Sequence, residues 1–230
     1  MKLHNFFALC ALSGLLQSLN AQTSCDGYFP FVEGAKRQYK YYDQNNKLLS
    51  ASTIEVTVVE DADDGSLEAQ LEESATNDLG KPMLEAFYQV RCKDNTLLID
   101  LPYKLPPRSR ESFSGMEVDI SGDPFALPAT LQAGQSLPDA YAEIKAGNSG
   151  MLMLTMQINV LNRKVVGAEK VKTPAGEFDC MKISHTMETK TMVRKTHTIV
   201  EWYAKGIGLV KQETYDKKGV LEGYAVLTEL

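Results

Sequence analysis

The sequence predicts an all-β protein, built as an antiparallel up-and-down barrel or a strongly curved sheet of about ten strands. Between residues 151 and 160 every even-numbered position is apolar, whereas the odd-numbered positions change from methionine to Thr, Gln and Asn. This period of two is typical of a half-buried antiparallel strand. Asp64-Gly65 and Lys218-Gly219 are candidates for two-residue hairpin turns, because glycine tolerates positive φ. A barrel is favoured because closure limits the number of exposed strand edges.

The first 21 residues are predicted to be an export signal that the mature chain lacks. Lys2 supplies the positive charge, and the apolar run from Phe6 to Leu16 is too short to cross a bilayer. Ala21 is a small residue at the cleavage position. A lipid anchor on Cys25 is the alternative, but the residues before it are polar where lipoprotein processing needs small ones. We therefore expect a periplasmic or secreted protein in which residues 22–230 form a single β-barrel-like domain.

The mature chain is acidic, with 23 Lys and Arg against 30 Asp and Glu once Lys2 is removed. Nucleic-acid affinity depends on basic side chains that neutralise phosphates, so this balance argues against nucleic acid. It argues against binding to an anionic membrane surface for the same reason. No other apolar run reaches the roughly 20 residues of a membrane helix, so no transmembrane segment is expected in the mature chain.

The middle of the chain interrupts a regular series of strands. Ser52 to Val59 and Ser66 to Thr76 alternate apolar with polar residues, as an antiparallel sheet requires. Between Leu101 and Pro138 lie six of the nine prolines, around a short predicted strand at residues 116–120. A connection of this length is uncommon unless it has a structural or functional task. Two interpretations stay open: an irregular crossover between the two halves of the sheet, or a lid over a cavity.

The mature chain keeps three cysteines, which are Cys25, Cys92 and Cys180. In an oxidising compartment one disulfide is expected, with the third thiol buried or free. The sequence leaves the pairing open. With so few cysteines, the apolar core and not a disulfide framework must hold the fold.

Several patterns resemble catalytic or metal-binding motifs without meeting their requirements. Gly206-Ile207-Gly208 is followed by a strand, whereas a dinucleotide fingerprint needs a helix there. The acidic run from Glu60 to Gly65 has Leu71 where a calcium loop needs a bidentate acid, so an acidic hairpin turn is expected. No Gly-x-Ser-x-Gly elbow is present. The sequence thus predicts no catalytic residue, no metal site and no cofactor.

The remaining chemical candidates are His185, His197, Glu201 and Cys180. Two imidazoles and a carboxylate could ligate zinc, but Val200 and Trp202 look like the core side of their strand, which would turn His197 and Glu201 outward. Cys180 and His185 are five residues apart on a strand, so their side chains are expected on opposite faces. A hydrolase or metalloenzyme is therefore the least favoured of three functional hypotheses.

Apolar and aromatic side chains offer a different kind of site. Methionines adapt their shape to irregular apolar ligands. Aromatic rings at a barrel mouth contact such ligands as well. The candidates for lining a cavity are Met151, Met153, Met156, Trp202 and Tyr203. A fully packed core would use the same residues, so this alternative stays open.

Four runs of residues carry a family resemblance. They are Thr-Pro-Ala-Gly-Glu-Phe-Asp-Cys at 173–180, Glu-Trp-Tyr-Ala-Lys-Gly-Ile-Gly-Leu-Val-Lys at 201–211, Tyr-Asp-Lys-Lys-Gly at 215–219 and Gly-Tyr-Phe-Pro-Phe-Val-Glu-Gly at 27–34. With them the chain resembles a family of secreted or periplasmic proteins of unknown function. This family is typical of Bacteroidota envelopes, is sometimes labelled TapB-like and has a DUF3108-like β-barrel. The resemblance covers nearly the whole mature chain. It implies one β-barrel-like domain and brings no catalytic residue or cofactor.

These observations favour a non-catalytic exported barrel that binds a hydrophobic or extended ligand. The partner would be a hydrophobic small molecule, a lipid, a glycan or an envelope protein. The alternative is a solidly packed β scaffold that acts through protein–protein interaction in the cell envelope. A cavity in the barrel favours the first hypothesis, and a large apolar patch on the outside favours the second.

Overall fold

The computed structural model describes residues 25–230, so the predicted export signal lies outside the described residues. These residues form a single antiparallel sheet of 13 strands, where the sequence predicts about ten. The strands are β1 (Lys36–Asp43), β2 (Leu48–Asp61), β3 (Leu67–Asn77), β4 (Pro82–Lys93), β5 (Thr96–Ile99), β6 (Glu117–Asp123), β7 (Phe125–Pro128), β8 (Ala140–Asn148), β9 (Met151–Thr173), β10 (Gly176–Lys190), β11 (Arg194–Ala204), β12 (Gly208–Tyr215) and β13 (Leu221–Glu229).

The sheet is nearly closed into a barrel. Its spatial order is β6-β8-β9-β10-β11-β12-β13-β1-β2-β3-β4-β5-β7. Consecutive strands β6 and β7 therefore lie at opposite edges of the sheet, and a single residue, Pro124, joins them. Because one residue can span only a few ångströms, the two edges must approach each other. We call the line between these edges the seam.

The alternating pattern of the strands decides which side chains face the interior. In β9, Ile158 and Val160 are buried, as the alternation predicts. Met151, Leu152 and Met153 are all exposed, because a register shift opposite Gly147 interrupts the alternation at the start of the strand. Nine of the 13 described strands contribute buried apolar residues to one continuous core, for example Val56 in β2 and Leu71 in β3.

A second, smaller cluster covers the outer face of four strands. It is made by Val171, Cys180, Trp202, Ala204 and Val210, from β9 to β12. Both faces of the sheet are thus apolar at this place, and a residue there is buried whichever way it points.

The chain before β1 closes one end of the barrel. Tyr28 and Phe29 belong to the main core, and the backbone N–H of Gly206 donates to the carbonyl of Gly27 at 2.9 Å. A disulfide between Cys25 and Cys92 ties this segment to the end of β4, and Cys180 is a buried free thiol.

The proline-rich connection contains a compact segment inside the barrel. Residues 101–113, which we call the plug, form a 3₁₀ turn at Leu101–Lys104, a one-turn helix α1 at Pro107–Arg110 and a 3₁₀ turn at Glu111–Phe113. Leu101, Leu105 and Phe113 are buried in the main core. The prolines suit this geometry, because Pro at the first position of a helical turn loses no hydrogen bond.

Candidate functional site

The plug is fixed at its two ends by buried ion pairs to different parts of the barrel wall. The ammonium of Lys104 lies 2.6 Å from Glu201 Oε1 on β11. The guanidinium of Arg110 lies 2.6 Å from Glu73 Oε2 on β3. All four side chains are almost inaccessible to water, and β3 and β11 lie five strands apart in the sheet. The interior of the barrel therefore carries charge on both sides of the plug.

Around Lys104 the structure gathers a group of polar side chains that we call the lysine cluster: Lys104, Arg163, His185, Glu201 and Tyr203. Lys104 Nζ donates to Glu201 Oε1 and to the phenol oxygen of Tyr203. That phenol donates in turn to Glu201 Oε2 at 3.2 Å. His185 Nδ1 is 3.8 Å from the same carboxylate oxygen, beyond hydrogen-bond distance.

Phe125 of β7 lies between two cations of this cluster. Arg163 Cζ is 3.8 Å and Lys104 Nζ is 4.5 Å from the centre of its ring. Arg163, from β9, also donates to the carbonyls of Ala126 at 2.8 Å and Pro138 at 2.7 Å. These contacts cross the seam, so Arg163 helps to close the barrel.

The electrostatics of the lysine cluster follow from its burial. Desolvation lowers the pKa of His185 to about 4, so the imidazole is neutral at pH 7. Burial alone would raise the pKa of Glu201, but Lys104 and the other nearby cations outweigh it and the pKa is lowered. Burial followed by the charge of Glu201 raises the pKa of Tyr203 well above its usual value. At neutral pH the cluster holds two cations, one carboxylate and two neutral rings.

Residues 104–106 of the plug also line a cavity of about 100 Å³, which we call the inner cavity. Its wall is made by the segment before β1, by β1 to β5, by β11 to β13 and by the plug. Six tyrosines line it, together with aliphatic residues such as Leu71 and Leu97; the tyrosines are Tyr28, Tyr39, Tyr41, Tyr88, Tyr103 and Tyr203. Arg37, Glu73 and Arg110 bring charges to the same wall.

A larger groove of about 460 Å³ runs between the plug and strands β9 to β12. Its apolar part is formed by Met156, Met187, Val193 and Ile199. Its polar part includes Lys104, Arg108, Lys195 and His197. We call this site the rim groove, because it opens at the end of the barrel where the β10–β11 hairpin turns.

The structure distributes the five predicted lining residues over three places. Met156 lines the rim groove and Tyr203 lines the inner cavity. Met151 and Met153, 72% and 59% exposed, lie at the surface at the start of β9. Trp202 is buried on the outer face of β11, with the ammonium groups of Lys182 and Lys211 each 4.9 Å from its ring. The five residues do not form one site.

The candidates for chemistry are separated as well. Cys180 lies in the outer cluster, where burial raises its pKa to about 11, whereas His185 faces the interior. His197 Nε2 lies 3.1 Å from Glu222 Oε2 and not beside His185. Between Cys25 and the C-terminus no group of three or more His, Cys, Asp or Glu side chains is close enough to hold a metal ion.

The predicted orientation of β11 is wrong. Glu201, expected to point outward, is 0% exposed and faces the interior with Tyr203, whereas Trp202 faces outward. The physical reason is the second apolar cluster, which buries Trp202 on the outside. Lys104, distant in sequence, supplies the counter-charge that lets a carboxylate lie inside.

Sequence reasoning also missed the charged residues Arg37, Glu73, Lys104, Arg110 and Arg163. For one of them, Glu73, the sequence pattern does indicate a buried charge. In β3 the inward series Ala69, Leu71, Glu73 and Ala75 places a carboxylate among apolar residues at a spacing of two. A charge in such a series predicts a buried partner. The arginines and Lys104 lie in segments whose alternation is too weak to show the same signal.

The comparisons with known proteins agree with this architecture. The family described as DUF3108-like matches residues 32–227. A Parabacteroides distasonis protein, predicted to be a lipoprotein, superposes with a TM-score of 0.77 at 26% identity, over 90% of this chain and 99% of its own. A Bacteroides fragilis protein with a YmcC-like fold, predicted to be exported, has a TM-score of 0.75 at 24% identity, over 89% of this chain and 99% of its own. No curated protein matches the sequence.

Proposed function

The chain belongs to the DUF3108-like family, and from this premise we propose that it is a non-catalytic binding protein of the cell envelope that takes a hydrophobic or extended ligand in the rim groove. The observation that carries the proposal is the groove itself. Its volume of about 460 Å³ lies in the range typical of small-molecule sites.

The lining of the rim groove suits an elongated apolar molecule with a polar end. Met156 and Met187 are flexible and polarisable, so they can follow the contour of different ligands. Arg108, Lys195 and His197 place polar groups along the same groove. A ligand of this kind would bury its chain against the methionines and keep its polar end near the basic side chains.

The state of the reactive groups supports a binding role over a catalytic one. The thiol of Cys180 is protonated at neutral pH and lies on the outer face, away from both cavities. His185 is buried, and its imidazole is not within hydrogen-bond distance of a hydroxyl or thiol nucleophile among residues 25–230. A nucleophile and its base need to lie within hydrogen-bond reach of each other.

Export is supported by the predicted signal at residues 1–21 and by the solved relatives, which are predicted to be an exported protein and a lipoprotein. Within residues 25–230 no helix is long and apolar enough to cross a membrane. A barrel of the envelope meets lipids, glycans and their precursors, which are extended molecules with apolar or repetitive parts.

The first test is fluorescence titration of the mature chain with N-phenyl-1-naphthylamine, a neutral apolar probe. Met156→Trp fills the groove and should weaken binding about tenfold, which corresponds to about 1.4 kcal/mol. Met153→Trp, at an exposed position of the same strand that does not line the groove, is the matched control and should bind as the wild type does. Equal affinity of the two variants would remove the rim groove as the site. Native mass spectrometry of protein purified from the periplasm would then identify the natural ligand.

A second candidate function, a scaffold that binds an envelope protein, is favoured by a separate observation. Met151, Leu152 and Met153 at the β8–β9 hairpin are exposed, as are Met192, at 99%, and Val193 at the β10–β11 hairpin. Because β9 begins and β10 ends at the same end of the sheet, the two hairpins lie at one end of the barrel. Loss of co-elution with an envelope partner in a Met151→Ser/Met153→Ser variant that still binds the probe would support this function.

A further inference from the structure

Arg37 is a buried cation that has no carboxylate partner. Its side chain, on β1, lines the inner cavity and the residue is only 5% exposed. Across the part of the chain that the structure describes, no acidic side chain lies within ion-pair distance of it. Its guanidinium lies over the ring of Phe29, 4.5 Å from Cζ, and beside the neutral phenol of Tyr39. A buried charge without a counter-ion is costly, so such a group commonly faces a ligand of opposite charge.

A second guanidinium in the same cavity is only partly satisfied. Arg110 uses Nη2 for Glu73 and Nε for the carbonyl of Leu105. Its Nη1, like Nε of Arg37, has no hydrogen-bond partner within residues 25–230. Each of the two arginines that line the inner cavity therefore keeps one buried N–H donor that the protein leaves unsatisfied.

The charges that line the inner cavity do not balance. Lys104 is neutralised by Glu201, and Glu73 neutralises one of the two arginines. One positive charge remains. We propose that the inner cavity binds a carboxylate monoanion, held by Arg37 and Arg110, at a site distinct from the rim groove and independent of the function proposed for that groove.

The lining of the cavity selects a carboxylate over a phosphate. Its volume of about 100 Å³ would hold about three waters at roughly 30 Å³ each, or one small molecule of similar size. Tyr41, Tyr88 and Leu71 surround the charges with apolar surface, which suits a carboxylate that carries a short hydrocarbon chain. The planar guanidinium matches the two oxygens of a carboxylate, and a single charge offsets the excess.

The backbone next to Arg37 is shaped to leave this side chain in place. Gly208 begins β12 at a φ of +104°, and a Cβ at this position would lie 3.0 Å from Arg37 Nη1. Glycine adopts this φ without steric cost and leaves room for the guanidinium. The position of Arg37 in the cavity therefore depends on two strands, β1, which carries the side chain, and β12, which leaves room for it.

The test is isothermal titration of the mature chain with sodium propionate and with propionamide, its uncharged isostere. Propionate should bind and propionamide should bind at least about tenfold more weakly, because the amide lacks the charge that the arginines select. Dodecanoate and inorganic phosphate are the further probes. Phosphate is expected not to bind. Dodecanoate distinguishes a free small acid from the carboxylate end of a longer lipid.

Arg37→Gln tests the site, with Arg194→Gln as the matched control on an exposed arginine. The Arg37 variant should lose propionate binding, while its melting temperature without ligand equals or exceeds that of the wild type, since an uncompensated buried charge has been removed. A purely structural arginine predicts the opposite, a lower melting temperature. If Met156→Trp abolishes binding of dodecanoate but not of propionate, the natural ligand reaches from the inner cavity into the rim groove.

If Arg37→Gln does not fold, a measurement on the unmodified protein tests the site instead. The Nε–H resonance of Arg37 in a ¹⁵N-labelled sample, assigned from the spectrum of Arg37→Lys, should shift on addition of propionate and stay in place on addition of propionamide. Equal binding of acid and amide, absence of binding by both, or an Arg37 resonance that ignores the acid would each overturn the proposal.

Discussion

Two aromatic rings, one inside the barrel and one outside it, are each held between two cations. Phe125 lies between Arg163 and Lys104, at 3.8 and 4.5 Å, and Trp202 lies between Lys182 and Lys211, both at 4.9 Å. Inside, the ammonium is buried and needs Glu201 and Tyr203 to compensate its lost hydration. Outside, both lysine side chains remain 30% exposed. Each surface lysine also has a carboxylate partner, Glu169 or Glu213, but its remaining hydration makes that partner far less necessary than the partners of Lys104.

The sharpest way to test this difference is to remove one carboxylate from each side. Glu201→Ala leaves Lys104 buried without its counter-charge and should lower the free energy of unfolding by about 3–5 kcal/mol. Glu169→Ala, which removes the partner of Lys182 at the surface, should cost less than about 1 kcal/mol. Urea denaturation measures both. The double variant Lys104→Met/Glu201→Leu should recover most of the loss, and a double variant as unstable as Glu201→Ala would argue against the desolvation account.

The interior should also respond to acid, through His185. The folded pKa of His185, about 4, lies below the value of about 6.5 in the unfolded chain. Between these values the unfolded state binds a proton that the folded state refuses, so stability falls as pH drops from 6.5 to 4, by roughly 3 kcal/mol. Denaturation curves across this range check it. His185→Gln should flatten the slope, and a slope that survives this substitution would assign it to other groups.

Replacing the rings themselves gives an intermediate effect. Phe125→Leu removes a desolvated cation–π contact with two cations and should cost about 2 kcal/mol or more. Trp202→Phe keeps a ring on the outer face and should cost about 1 kcal/mol. The two melting temperatures can be compared directly by circular dichroism. Equal losses would mean that packing and not charge governs both stacks.

The smallest expected effect is a difference in salt dependence. Lys182→Met should cost only a few tenths of a kcal/mol, and this cost should vanish between about 10 mM and about 1 M salt, because surface charges are screened. The cost of Glu201→Ala should change little over the same range, since buried pairs are screened much less. Denaturation midpoints at the two salt concentrations measure this, and an inner pair as sensitive to salt as the outer lysines would mean that water reaches it.

The comparison also shows which parts of this molecule the sequence alone could predict. Residues 151–160 alternate strictly, and their core side is correctly predicted because only one face is apolar at Ile158 and Val160. At Trp202 both faces of the sheet are buried, so alternation no longer tells inside from outside. The short strands β5 and β7 were not expected individually, because each has only four residues and β7 is flanked by prolines.

The candidate site was harder to predict than the fold, for a physical reason. A buried charge is tolerated only if a partner meets it, and the partners Lys104 and Arg110 come from an irregular segment 97 and 37 residues away from Glu201 and Glu73. The local sequence pattern of that segment does not indicate which residues of the barrel wall its side chains contact. The prolines between residues 101 and 138 do indicate an unusual connection, and the plug is what they build.

The seam gives this barrel a property that a fully hydrogen-bonded cylinder lacks. No backbone ladder joins β6 to β7 among the described strands, and side chains such as Arg163 bridge the gap instead. The sheet can consequently open along the seam while the hydrogen bonds within every hairpin remain intact. Local opening at the seam requires little free energy compared with global unfolding. Amide protons of β7 should therefore exchange with solvent before those of β9 and β10. A molecule too large to enter at the end of the barrel could reach the interior through the open seam.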